Sequence, residues 1–115
     1  MFVNHIKNLE RVAVHAPGVL GATKQTLIGP AQGWEGWVMR QFDLAPGGHT
    51  PRHRHSWPHI NYVVGGAGTL FLEGQDHPLE AGSVAYVPGD AEHQFMNPGT
   101  ETLSFICIVP EEGDK

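Results

Sequence analysis

The chain has 115 residues, 40% of them hydrophobic, and a net charge of −5 with neutral histidines, which suits one globular domain around a single core. Arg52 and Arg54 are the only close pair of cations, which argues against a phosphate-reading DNA or RNA surface. No stretch approaches the roughly 18 apolar residues of a membrane span, MFVNHIKNLERVAV has no secretory apolar core, and Cys107 has no partner for an internal disulfide. The expectation is a cytoplasmic protein in a reducing compartment, with no membrane and no nucleic acid among its partners.

Residues 1–23 read as an N-terminal arm with a short strand at 11–14 and a loop at APGVLG. Residues 24–115 read as a barrel. Its first strand is 24–28, ended by GPAQG, and its second is 36–44, ended by APGG. Strands follow at 60–64, 69–73, 77–80, 83–88, 92–96 and 103–109, before a polar tail, EEGDK. The 15 glycines and nine prolines fall mostly between the apolar runs, as turn residues do in all-β chains. No segment sustains a 3.6-residue period and no long repeat is present. Closely spaced short strands predict an all-β sandwich or barrel.

His53, His55 and His59 stand within seven residues, and His93 lies far along the chain. Imidazole is the commonest metal ligand among side chains. Positions 53, 55 and 59 are all odd, so on one strand they share a face. Pro58 opposes a helical reading of the His55/His59 pair. The pattern predicts a metal site on the inner wall of a barrel. His5, His15 and His77 read as ordinary side chains, and His49, which precedes the pair, stays outside the set.

Two segments carry a family resemblance. In the first, Gly47 is followed by five residues, then His53-Arg54-His55, three residues, His59, and six residues to Gly66. In the second, Gly82 is followed by five residues, Pro88-Gly89-Asp90, two residues, His93, and three to Asn97. Together they resemble the two motifs of the cupin superfamily, closest to its small single-domain members. The resemblance implies a jelly-roll barrel, a mononuclear metal and often a homodimer. His59 stands where the family motif has glutamate, and Asp90 where it has glycine. Aspartate tolerates the left-handed backbone such a turn needs. A four-histidine site keeps the full charge of a divalent ion, and Asn61 is a weaker alternative to His59 as ligand.

Four nitrogen donors suit one divalent transition metal, manganese or iron first, then copper, nickel or zinc. A six-coordinate ion leaves two positions open; a closed tetrahedral one is structural. Alternation turns Phe105, Cys107 and Val109 toward the barrel interior, with Ser104 outward. Cys107 is either a small buried hydrophobe or a group near the metal. Val38, Arg40, Phe42 and Leu44 share a face. If that face is inner, Arg40 needs a compensating charge such as an anionic substrate; if outer, it is a surface residue. Phe95 shares a face with His93, and Trp57 lies between two candidate ligands. Arg40, Phe42, Trp57, Phe95, Phe105, Cys107 and Val109 are thus the candidate pocket. The functional expectation is a dioxygenase-type oxidoreductase acting on a small organic molecule. The alternatives are a non-catalytic metal-bearing binding module, or a Lewis-acid isomerase or lyase with Cys107, Tyr62 or Tyr86 moving the proton. Ile106 and Ile108, with the arm, are the expected dimer face.

Overall fold

Strict in–out alternation along β9 (Leu103–Pro110) shows how this chain builds its core: Leu103, Phe105, Cys107 and Val109 are buried, and the residues between them are half-exposed. A computed structural model describes residues 1–114, so Lys115, the last residue of the expected barrel, lies outside the described residues. The strands are β1 (Val12–Ala13), β2 (Leu20–Ile28), β3 (Trp37–His49), β4 (His59–Gly65), β5 (Ala67–Leu72), β6 (Gln75–Glu80), β7 (Val84–Val87), β8 (His93–Met96) and β9. Single 3-10 turns lie at Ile6–Asn8, Pro30–Gln32 and Glu111–Gly113. No helix among the described residues is long and apolar enough to cross a membrane.

All pairing is antiparallel, in the order β6-β5-β8-β3-β9-β4-β7, with β2 also on β3 and β1 on β2. The sheet curls on itself. Phe95 of β8 stacks on Phe105 of β9 at 4.2 Å, although these two strands do not pair. That contact lies between facing walls, with Leu44, Leu70 and Leu103 in the same core. The fold is an all-β barrel made by one curled antiparallel sheet, as expected.

Several strand bounds differ from the sequence reading. The longest strand, β3, runs through Ala45–Gly48, which read as a turn. The APGG segment instead bends the strand from its partner β9 toward β8. Gly47 N–H donates to Asn97 O at 2.8 Å and Asn97 N–H to Gly48 O at 2.9 Å. β2 begins at Leu20 rather than at residue 24, pairing Leu20 with His49. The arm folds onto its own sheet: Val12 pairs with Lys24, Arg11 meets Asp43 at 2.7 Å, and buried Gln25 donates to the carbonyls of Ile6 and Leu9. The tail is not merely polar; its last 3-10 turn is tied to the sheet by Glu111 N–H to Gly36 O at 2.9 Å.

Asn97 closes the second motif structurally. Its buried Nδ2 donates to Leu44 O at 2.9 Å and Glu101 O at 2.7 Å, and its Oδ1 accepts from Gly99 N–H. Stripping two carbonyls of their donor costs about 1–3 kcal/mol each when no water replaces it. Asn97→Ala should therefore lower unfolding stability by about 2–6 kcal/mol in urea titration; a shift within error would show that water satisfies those carbonyls.

Candidate metal centre

The four histidines come from three different pieces of chain. His59 opens β4 and His93 opens β8. His53 lies outside the named strands, in an isolated bridge to His93: each residue's N–H donates to the other's carbonyl, at 3.1 and 2.9 Å. His55 sits in the loop that follows. The shared odd parity of 53, 55 and 59 is therefore not what brings them together, because residues 54–58 are not a strand. The loop is held from the other side by the turn before β8. Asp90 takes φ 67°, and its N–H donates to His55 O at 2.7 Å. The aspartate in the glycine place thus does adopt the left-handed backbone. Gly89 packs flat against Ser56, where any Cβ would collide with the Ser56 carbonyl.

Each of three rings has its Nδ1 directed to an oxygen. His55 Nδ1 donates to Trp57 O at 2.8 Å, His93 Nδ1 to Ala91 O at 2.9 Å, and His59 Nδ1 to Asn61 Oδ1 at 2.7 Å. Asn61 Nδ2 donates to Ile106 O, which orients its oxygen toward His59. A carbonyl can only accept, so these partners place the ring proton on Nδ1 and leave Nε2 as a lone pair. His59 Nε2 and His93 Nε2 lie 3.3 Å apart. Ligating atoms of His53, His55 and His93 lie within 4.8 Å of one another. Trp57 stacks on the His55 ring at 4.5 Å and 6°.

Electrostatics keep the inner rings neutral. Burial lowers His59 to about 3, with His93, His55 and Arg40 adding to the shift against the hydrogen bond to Asn61. Burial likewise lowers His93 to about 4, helped by His53 and His55. His53 is lowered by burial and then by His55. His59 and His93 are thus neutral acceptors that face each other, with ligating atoms of His53 and His55 close to His93, a donor set suited to a transition cation.

A cavity of about 520 Å³ opens beside the histidines. Of the expected pocket residues, Arg40, Phe42, Trp57, Phe95, Phe105 and Cys107 line it. Val109 does not; it is fully buried with Val38 and Cys107 in a small core cluster behind the wall. Arg40 is on the inner face, 8% exposed. Tyr62 and Tyr86 are on the outer surface, 45% and 61% exposed, and neither lines the cavity. Cys107 Sγ accepts from Arg40 Nη2 at 3.1 Å, and burial pushes the thiol up, so it stays protonated. Three contributors escaped sequence reasoning. Val14 and Val19 of the arm line the cavity, and no local pattern hinted at it. Asp114, in the tail, faces Arg40 at 3.5 Å, and no local pattern announces that contact.

The cupin domain family (Cupin_2) matches residues 40–109. The chain is a cupin. It is 34% identical over 85 residues to 1-methylthio-D-xylulose 5-phosphate methylsulfurylase of Rhodospirillum rubrum, covering 67% of this cupin and 49% of the relative. It is 36% identical over 63 residues to dimethylsulfoniopropionate lyase DddW of Ruegeria pomeroyi, covering 55% and 41%. The cupin thus spans half or less of the length of these curated relatives. Among solved structures it resembles the polyketide cyclase RemF of Streptomyces resistomycificus, with TM-score 0.90 and 28% identity over 96% of this chain and 79% of that one.

The depressed histidines give the metal-free cupin a defined acid sensitivity. In the unfolded chain these rings titrate near 6.5, but in the fold His93 titrates at about 4 and His59 at about 3. As pH falls below 6.5 the unfolded state takes up protons that the native state refuses. Stability should be flat above about pH 7 and fall progressively toward pH 4, by up to about 1.4 kcal/mol per pH unit for each refused proton. Thermal unfolding after chelation checks this; a midpoint unchanged from pH 7 to 5 would show that the folded rings take up protons as readily as the unfolded ones.

Proposed function

We propose that this cupin is a metal-dependent enzyme holding one divalent transition ion on Nε2 of His53, His55, His59 and His93, and acting on a small, largely apolar molecule with an oxygen donor. The 3.3 Å approach of His59 Nε2 to His93 Nε2 carries the reading. Both rings have their protons directed elsewhere, so two lone pairs face each other. Nitrogens bound to one ion at about 2.0–2.1 Å sit about 3–3.5 Å apart. Manganese or iron comes first for such a set, then copper, nickel or zinc.

An ion held by these four rings would supply Lewis-acid polarisation of a substrate oxygen. The chain's own residues do the rest. Phe42, Phe95 and Phe105 form an apolar wall that excludes water from the substrate body. Trp57 and Asn61 hold the His55 and His59 rings in orientation. Among the described residues no carboxylate lines the cavity, so none beside the histidines would offset the ion's charge. The names of the relatives, a methylsulfurylase, a lyase and a cyclase, support Lewis-acid chemistry. The dioxygenase-type oxidoreductase is the second reading. It is favoured by the outward placement of Tyr62 and Tyr86, which leaves Cys107 as the proton-transfer candidate in the wall.

Elemental analysis of the wild type beside His93→Ala tests the site. The variant should fold, by circular dichroism, and lose most of its metal; equal occupancy would remove His93 from the site. Turnover of carbonyl compounds without dioxygen is the expected activity. Oxygen uptake in step with substrate loss would move the assignment to the dioxygenase, and ligand-dependent thermal shifts without turnover would leave a binding module.

A homodimer is part of the proposal. Ile60, Tyr62, Val84 and Tyr86 are 45–79% exposed and adjoin through the pairs Ile60–Tyr86 and Tyr62–Val84. The patch continues to Ile106 and Ile108 on β9, and β7 ends the strand order. A contiguous apolar face beside an edge strand is typical of an interface. Light scattering should give a dimer for the wild type and a monomer for Val84→Glu; a monomeric wild type would refute this assembly.

A further inference from the structure

Arg40 is a poorly compensated charge in the cavity wall. Its side chain is 10% exposed, and a buried guanidinium without a full set of partners is costly. Nη2 donates to Cys107 Sγ, a neutral acceptor. Nη1 lies 3.5 Å from Asp114 Oδ1, and that same oxygen lies 3.5 Å from Lys24 Nζ. One carboxylate therefore faces two cations at long range, leaving a net positive charge. Nε has no hydrogen-bond partner among the described residues. The Phe42 ring beneath, at 4.9 Å, adds only a weak cation–π contact.

We propose that Arg40 is an anion anchor: the cavity takes a small molecule with an apolar body and a carboxylate, and the carboxylate docks on the Arg40 guanidinium in place of Asp114. A planar carboxylate matches the guanidinium fork. A phosphate dianion would call for more donors than this apolar surrounding supplies. Asp114 is a replaceable counter-ion, since it follows a short turn tied down by Glu111 and is 24% exposed. The substrate class deepens the proposed function and rests on it for the metal near the histidines. The partners of Arg40 are independent of any ion.

Calorimetric titration with benzoate, and with benzamide as its neutral counterpart, tests the anchor on zinc-loaded and on chelator-treated protein. Benzoate should bind the wild type more tightly than benzamide in both forms. Arg40→Met should weaken benzoate about tenfold or more and leave benzamide binding and zinc content unchanged. Asp114→Asn, a change near the surface, should strengthen benzoate severalfold by removing the competing carboxylate. Unchanged benzoate affinity in Arg40→Met, or affinity unchanged or weaker in Asp114→Asn, would overturn the anchor. If Arg40→Met fails to fold, Asp114→Asn decides alone. Wild type that holds no zinc yet discriminates benzoate through Arg40 would sink the metal reading and keep the anchor. Zinc held without Arg40-dependent benzoate binding would sink the anchor alone.

Discussion

The reciprocal backbone bonds between His53 and His93 are the constraint on which the candidate site depends. They fasten a loop with no strand partner of its own to the first residue of β8. Asp90 N–H on the His55 carbonyl and the flat contact of Gly89 on Ser56 hold the same loop a few residues on. With the loop pinned at both places, the backbone that carries His53 and His55 is fixed against that of His93. His59 comes from across the core, at the start of β4. Its position follows from pairing of β4 with β7 and β9 rather than from its nearness in sequence to His55.

Three of the four imidazoles turn Nε2 inward because their Nδ1–H is given an oxygen elsewhere. Trp57 O, Ala91 O and Asn61 Oδ1 each take one. Burial then opposes protonation of Nε2 in His59 and His93. Two backbone carbonyls and one amide thus do what carboxylates do in many metal sites, orienting the rings without adding negative charge. The consequence extends into the cavity. Among the described residues its wall carries Arg40 and no acid, a field that suits the anionic guest proposed above better than a cationic one.

The similarity to a methylsulfurylase, a lyase and a cyclase shows how one barrel accommodates different chemistry. What is particular to this chain is what surrounds the histidines. The arm supplies Val14 and Val19 to the cavity, and the final turn brings Gly113 against Trp57 and Val109. Both ends of the described chain therefore shape the space in which a substrate would sit.

Sequence alone determined the all-β class, the inward set on β9 and the identity of the histidine candidates, because alternation and ligand spacing are local properties. It also placed the left-handed turn at Asp90, whose side chain tolerates that backbone. It could not decide which way Arg40 points, since an apolar face containing one arginine fits either side of a sheet. Only the curl of the sheet, stacking Phe95 on Phe105, put Arg40 inside. Tertiary structure also carried β3 through APGG, where bonds to Asn97 outweigh the turn preference of glycine and proline. Likewise it moved Val109 behind the wall and delivered Asp114 to Arg40. These outcomes depend on partners distant in sequence, and no local pattern encodes them.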